Sequence, residues 1–249
     1  MTDANPTPTA IVTGASRGFG RAIAHALHAD GALVVAVARS AEPLHALREE
    51  LGERLIPVVA DVADPVVAGM LVGQYRPDTL VLNAGAAPLP RRLQDHTWET
   101  FGRNWDVDVR HTFHWLREAL LLPLPPGSNV VVMSSGAALF GSPLSGGYAG
   151  AKAAIRFITN YAADESARED LRIRFVSILP KLTSETDLGA MAVAAYARRY
   201  GKTVEQYVEE AGPGVTPDDV GKATIELVNA AELDAGAFLL TPAGLSPVS

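Results

Sequence analysis

The sequence predicts a single-domain, doubly wound parallel α/β sheet of about seven strands with helices on both faces, and three observations carry that prediction. Short β-branched runs alternate with longer helical patterns from residue 9 onward. A glycine-punctuated segment joins the first such run to the first helical stretch. The 249 residues, 48% of them hydrophobic, are enough for one large core, and no linker or solenoid-period repeat divides them.

Taken in order, residues 1–8 are polar and broken by proline, so a flexible lead-in is expected before a domain over 9–249. Strands are expected at 10–13, 33–37, 55–60, 79–82, 129–133, 172–178 and 237–240. Helical patterns occupy 18–30, 42–51, 64–75, 95–121, 148–168 and 217–231 between them. Strands alternating with helices argue for a parallel sheet covered on both sides. The interval 181–216 breaks the rhythm, holding helical patterns at 191–200 and 204–211 but no strand.

Composition removes several classes of function. A net charge of −7 lacks the basic footprint that nucleic acid demands. With no cysteine there are neither disulfides nor thiolate metal sites, in keeping with a reducing compartment. The start has no basic end followed by an apolar core, so no secretory signal is expected. The apolar runs are far shorter than the roughly 20 residues of a membrane helix. A soluble cytoplasmic protein with no membrane partner is the expectation.

The chemistry concentrates in 129–156, where a β-rich run ends in Ser134 and Ser135 and a loop leads to Tyr148 and Lys152. A spacing of four stacks the phenol and the ammonium on one helix face, one turn apart. A phenol, with a reference pKa of about 10, is a poor acid near neutrality. A neighbouring cation favours its phenolate, and a serine hydroxyl can hold a substrate oxygen. Such a set suits proton exchange with a carbonyl or alcohol oxygen. Earlier in the chain, Gly14, Gly18 and Gly20 remove side chains between the first strand and first helix, where a pyrophosphate can approach the backbone and a helix N-terminus favours the anion.

Ser135, Tyr148 thirteen residues later, and Lys152 resemble the short-chain dehydrogenase/reductase family, as does the Gly-x-x-x-Gly-x-Gly spacing of residues 14–20. The Tyr-x-x-x-Lys pattern alone is weak. Joined to the glycine turn, Asp61-Val62 after the third strand and Asn83-Ala84-Gly85 after the fourth, it becomes specific and spans nearly the whole chain. The resemblance implies a Rossmann fold, catalysis by Ser135, Tyr148 and Lys152, and no metal. It also implies cofactor binding by Gly14, Ser16, Arg17, Gly18, Phe19, Gly20, Asp61, Val62, Asn83, Ala84, Gly85, Tyr148, Lys152, Pro180, Leu182 and Thr183. The 181–216 interval falls where the family inserts its substrate lid. Family members commonly form dimers or tetramers through the helices corresponding to 95–121 and 148–168, so a homodimer or homotetramer is expected.

An acid at the end of the second strand would bind the ribose hydroxyls of NAD. Here that end reads Val37-Ala38-Arg39-Ser40. Arg39, with Arg17 in reach, suits a 2′-phosphate, so NADP is expected over NAD; two solvated surface arginines are the alternative.

The chain departs from the family at three places. Asp108 stands where the family has an asparagine at a helix irregularity, and an ionised Asp108 is expected to offset the charge of Lys152 and move the pH profile of turnover upward. Asn104, one turn earlier, is a weaker candidate to substitute. Pro180-Lys181 replaces Pro-Gly, demanding ordinary backbone dihedrals or strain at Lys181. Thr241-Pro-Ala-Gly244 replaces the family's Asp-Gly-Gly ending. The histidine pairs 25/28 and 111/114 read as surface or interface residues rather than metal ligands, and Arg91-Arg92 as a solvated pair. Leu139, Phe140 and Leu144 are either a pocket wall or ordinary core. The expected activity is interconversion of a carbonyl and an alcohol on a small, largely apolar substrate. Epimerisation or dehydration on the same scaffold, or non-catalytic NADP sensing, remain as alternatives.

Overall fold

The computed structural model describes residues 7–248, so residues 1–6 of the expected lead-in lie outside the described residues. The strands are β1 (Thr9–Thr13), β2 (Leu33–Ala38), β3 (Leu55–Val59), β4 (Thr79–Leu82), β5 (Asn129–Met133), β6 (Arg174–Pro180), β7 (Ala237–Thr241) and β8 (Gly244–Pro247). The helices are α1 (Gly18–Ala29), α2 (Ala41–Leu51), α3 (Pro65–Tyr75), α4 (Trp98–Asn104), α5 (Arg110–Leu121), α6 (Ala137–Phe140), α7 (Tyr148–Arg168), α8 (Asp187–Arg199), α9 (Val204–Ala211) and α10 (Pro217–Asn229).

One sheet holds the strands in the order β3-β2-β1-β4-β5-β6-β7-β8. The first seven run parallel, and β8 returns antiparallel to β7. The sheet can be apolar on both sides because helices cover both. Alternate residues serve alternate faces. Val34 and Ala36 of β2 join Ile23 and Leu27 of α1, Leu44 of α2 and Val220 of α10. Val35 and Val37 face the other way, with Leu71 of α3, Trp115 of α5 and Ile155 of α7. Strand order reverses at β1, which lies between β2 and β4, and this opens a crevice at the carboxyl ends of the strands.

Four details depart from the expected layout. An eighth strand extends the sheet, because Thr241-Pro-Ala-Gly244 makes a tight hairpin in which Gly244 takes φ +108° and Thr241 Oγ1 accepts from Ala243 N. The expected strand 172–178 is shifted, since Arg172 adopts φ +57° and β6 begins at Arg174 and runs on to Pro180. The expected helix 95–121 is a 3-10 turn at Leu93–Asp95, then α4, a π-turn over Trp105–Val109, and α5. The short helix α6 follows β5 where only loop was expected. Lys181 takes no positive φ and continues the edge of β6 by donating its N–H to Leu240 O, so replacing glycine there introduces no strain. Among the described residues no helix is long and apolar enough to cross a membrane.

Candidate active site

Tyr148 and Lys152 lie on the first two turns of α7, and the Lys152 Nζ is 5.7 Å from the centre of the Tyr148 ring. Lys152 is buried and donates to the Met133 carbonyl at the end of β5 (3.0 Å). Ser134 returns the tie, its Oγ donating to the Lys152 carbonyl at 2.8 Å. Residue 147 must be small for α7 to begin here, because a Cβ on Gly147 would stand 2.3 Å from the Phe101 carbonyl of α4. Ser135, two residues past Met133, opens α6 by accepting from Ala137 N. The end of β5 and the start of α7 are thus bound together by Lys152 and Ser134.

Behind Lys152 lies the π-turn, a helix irregularity of a kind that gathers at functional sites. It aims the buried Asp108 inward, with Oδ2 at 3.3 Å from Lys152 Nζ and Oδ1 accepting from Ala86 N at 2.7 Å. Gly85 makes room for this carboxylate, since a Cβ there would lie 2.8 Å from Oδ2. Asn104 bonds the Ala86 carbonyl (2.7 Å) and sits 3.4 Å from Asp108 Oδ1. It holds the loop after β4 rather than substituting at Lys152. His111, expected at a surface or interface, is fully buried, on the stripe of α5 that also buries Thr112, Trp115 and Ala119. Neither of its ring nitrogens meets a hydrogen-bond partner of normal geometry. Burial, followed by the Lys152 charge, pulls its pKa down from 6.5 to about 3, with the Ala84 backbone opposing.

The glycine turn is braced from β4. Asn83 Nδ2 donates to the carbonyls of Thr13 (3.1 Å) and Gly14 (3.3 Å). Thr13 Oγ1 accepts from the amides of Asn83 and Ala84 and donates to Val81 O. Thr13 was not among the expected site residues, although a hydroxyl at a strand end just before such a turn is a readable signal. A Cβ on Gly20 would stand 2.2 Å from Gly14 O, and one on Gly14 would stand 2.9 Å from Ala84 Cα, so both positions need glycine. Gly14 and Gly18 also take positive φ. The N-terminus of α1 has no side-chain cap and no acid in its first turn, which leaves amide donors open toward the crevice. Ser16 is half-buried there, and Phe19 packs against the core.

Around this turn, Gly14 N bonds Val37 O, so the end of β2 adjoins it, and Arg39 follows as an exposed side chain with no ion pair among the described residues. Arg17 does not stand free beside it, because its guanidinium bonds Asp187 at the start of α8 (2.7 Å). Asp61 is exposed and accepts from Ala63 N, while the buried Val62 offers its carbonyl to the Trp115 indole. Gly136 N bonds Pro180 O, Leu182 is exposed, and the buried Thr183 accepts from Glu185 N. His25 meets Glu50, and Arg92 pairs with Asp95, leaving Arg91 exposed with its backbone bonded to Leu144 O.

A narrow cleft with a volume of only about 20 Å³ lies between the loop after β4 and α8, lined by Pro88, Pro90, Leu144, Leu188 and Met191, with Ser142, Ser145 and Tyr196 the polar exceptions. Leu144 is therefore pocket wall, whereas Phe140 is exposed. Tyr196 hydroxyl bonds Ser142, which ties α8 to the loop before Tyr148.

Residues 8–197 match the family model for short chain dehydrogenases. The chain belongs to the short-chain dehydrogenase/reductase family. Similar members include carbonyl reductase (NADPH) 2 of Sus scrofa, 32% identical over 178 residues that make up 70% of this chain and 72% of that protein. The NADPH-dependent pterin aldehyde reductase of Arabidopsis thaliana is 32% identical over 165 residues, 63% of this chain and 68% of the relative. The crystal structure of 3-ketoacyl-(acyl-carrier-protein) reductase from Brucella melitensis complexed with NADH superimposes with a TM-score of 0.76 at 24% identity, covering 92% of this chain and 94% of that one. That likeness speaks to the fold. As a member of this family the chain is an oxidoreductase of carbonyl and alcohol groups.

Proposed function

We propose that this enzyme reduces a small, largely apolar ketone or aldehyde with NADPH, and that the reaction is reversible. The observation that carries the reading is the Lys152 ammonium, buried and held by Met133 O, 5.7 Å from the Tyr148 ring. Tyr148 gives its proton to the carbonyl oxygen, Ser135 holds that oxygen, and Lys152 steadies the phenolate left behind. The residues present fit the cofactor. Gly14, Gly18 and Gly20 leave backbone open for a pyrophosphate, the amides of α1 favour its charge, and Arg39 suits a 2′-phosphate. Ser16, Phe19, Asp61, Val62, Asn83, Ala84 and Gly85 would border it, and Pro180, Leu182 and Thr183 would meet its nicotinamide end. When bound, the reduced nicotinamide supplies hydride to the carbonyl carbon. Two relatives named for NADPH support the same choice.

The apolar lining of the cleft supports a small apolar substrate, and its wall on α8 supports reading 181–216 as a lid. Exposed Phe113 on α5 and Phe157 and Tyr161 on α7 support pairing of two or four copies through those helices, which sedimentation equilibrium would measure. The activity is tested by following NADPH absorbance with a panel of ketones and aldehydes, with Tyr148→Phe alongside. Consumption that requires Tyr148 is the expected result. Nucleotide binding without any turnover would mean a sensor, and product without net consumption would mean an isomerising enzyme.

A further inference from the structure

We propose that Asp108 is a positioning residue acting through Lys152: it offsets the ammonium charge, keeps Tyr148 protonated to higher pH, and so biases the site toward carbonyl reduction over alcohol oxidation. This rests on the reading of Tyr148 as proton donor. The two oxygens of Asp108 have separate duties. Oδ1 anchors the loop after β4 by accepting from Ala86 N, a task that a neutral amide oxygen performs equally well. Oδ2 makes no hydrogen bond of normal geometry and is directed at Lys152 Nζ at 3.3 Å. Both groups are buried, where charges are screened least.

No other carboxylate among the described residues pairs with Lys152. On the π-turn, Asp106 is exposed. On α5, His111 is neutral above about pH 3. From the α4 side, His96 is bonded to Thr100 and edges onto Phe101. Along α7, Arg156 lies over Phe157, and β5 contributes the Met133 carbonyl. Among the described residues, Asp108 is thus the carboxylate that pairs with the ammonium beside the phenol.

In reduction the phenol O–H breaks as the new alcohol O–H forms, the cofactor provides the electrons, and the phenolate recovers a proton from solvent. In oxidation the phenolate must be present at the outset. A partly neutralised Lys152 stabilises phenolate less, so reduction persists to higher pH and oxidation begins at higher pH. The carboxylate lies 3.3 Å from the ammonium in a buried site, close enough to cancel part of the field that Lys152 exerts on the phenol.

The test is Asp108→Asn, with phenolate formation followed by ultraviolet difference spectroscopy and the matching Tyr148→Phe chain subtracted in each background. The expected result is that Tyr148 titrates lower in the variant than in the parent, with the alkaline limb of reduction and the rising limb of oxidation moving down together. Asp108→Ser provides the same comparison should the asparagine chain fail to fold. A uniform loss of kcat with an unmoved Tyr148 titration would overturn the proposal, leaving Asp108 as a structural anchor only. The titration requires no substrate: a shifted titration without Tyr148-dependent turnover would instead sink the proton-donor reading while upholding the charge coupling.

Discussion

Arg39→Ala offers a direct test of cofactor choice, because the structure isolates the contribution of this side chain. Arg39 comes two residues after Val37, whose carbonyl bonds Gly14 N, so it stands beside the glycine turn at the end of β2. It is exposed and has no ion pair among the described residues, so its removal should leave the melting temperature unchanged. A charge-assisted hydrogen bond contributes about 1.5–3 kcal/mol, and the lower end applies to an exposed, screened guanidinium. The expected cost is therefore about tenfold in the Kd for NADPH near physiological ionic strength, and more in dilute salt. NADH lacks the 2′-phosphate and should bind the parent and the variant alike. Arg17→Ala should cost less, since that guanidinium is already bonded to Asp187 at the start of α8. Fluorescence titration of both nucleotides at two salt concentrations measures all of this. Equal weakening of NADH and NADPH, or a parent that prefers NADH, would refute the assignment of Arg39 to the phosphate.

Other perturbations have opposite signs in neighbouring parts of the fold. Gly20→Ala places a Cβ 2.2 Å from Gly14 O and 2.4 Å from Asn83 Nδ2, so the turn must shift; destabilisation of about 1–3 kcal/mol and loss of NADPH binding are expected in denaturant melts and titrations. Gly102→Ala in α4 meets nothing within 4 Å and should stabilise by roughly 0.5–1 kcal/mol, read as a rise in melting temperature of roughly 2 °C. His111 binds its proton near 6.5 when unfolded but only near about 3 when buried, so the unfolded chain holds more protons between those values. Stability is therefore complete above pH 6.5 and falls on acidification by up to about 1.4 kcal/mol per pH unit until about pH 3. His111→Leu should remove that part of the slope in urea unfolding measured from pH 7 down to 4; an unchanged slope would show that other groups carry it.

What could be read from sequence, and what could not, follows from the range of the interactions involved. The short β-branched run of β2 and the glycine spacing at 14–20 are local, and they led directly to the strand and to the tight turn before α1. The Tyr148–Lys152 pair is likewise one helix turn, and its geometry was legible. The π-turn was legible only through the resemblance, which sets Asp108 at a helix irregularity, because widening a helix over Trp105–Val109 leaves the apolar pattern of 95–121 nearly unchanged. Strand β8 depends on pairing with β7 rather than on its own four residues, which end in proline. Arg17 finds Asp187 across 170 positions, a contact that no spacing rule supplies. His111 is the instructive case. Read as half of an i, i+3 pair with His114 it belongs at a surface, but positions 111, 112, 115 and 119 form one continuous stripe with the buried Trp115. Judging a polar residue by the face it shares, rather than by its nearest like neighbour, would have placed it inside. The same logic bears on Asp108, one turn earlier and also turned inward by the widened helix. A carboxylate in that position must face a cation or disrupt the core, and Lys152 is the cation it meets. The ion pair on α7 thus joins residues 44 positions apart, brought together by the helix irregularity at which the family resemblance sets Asp108.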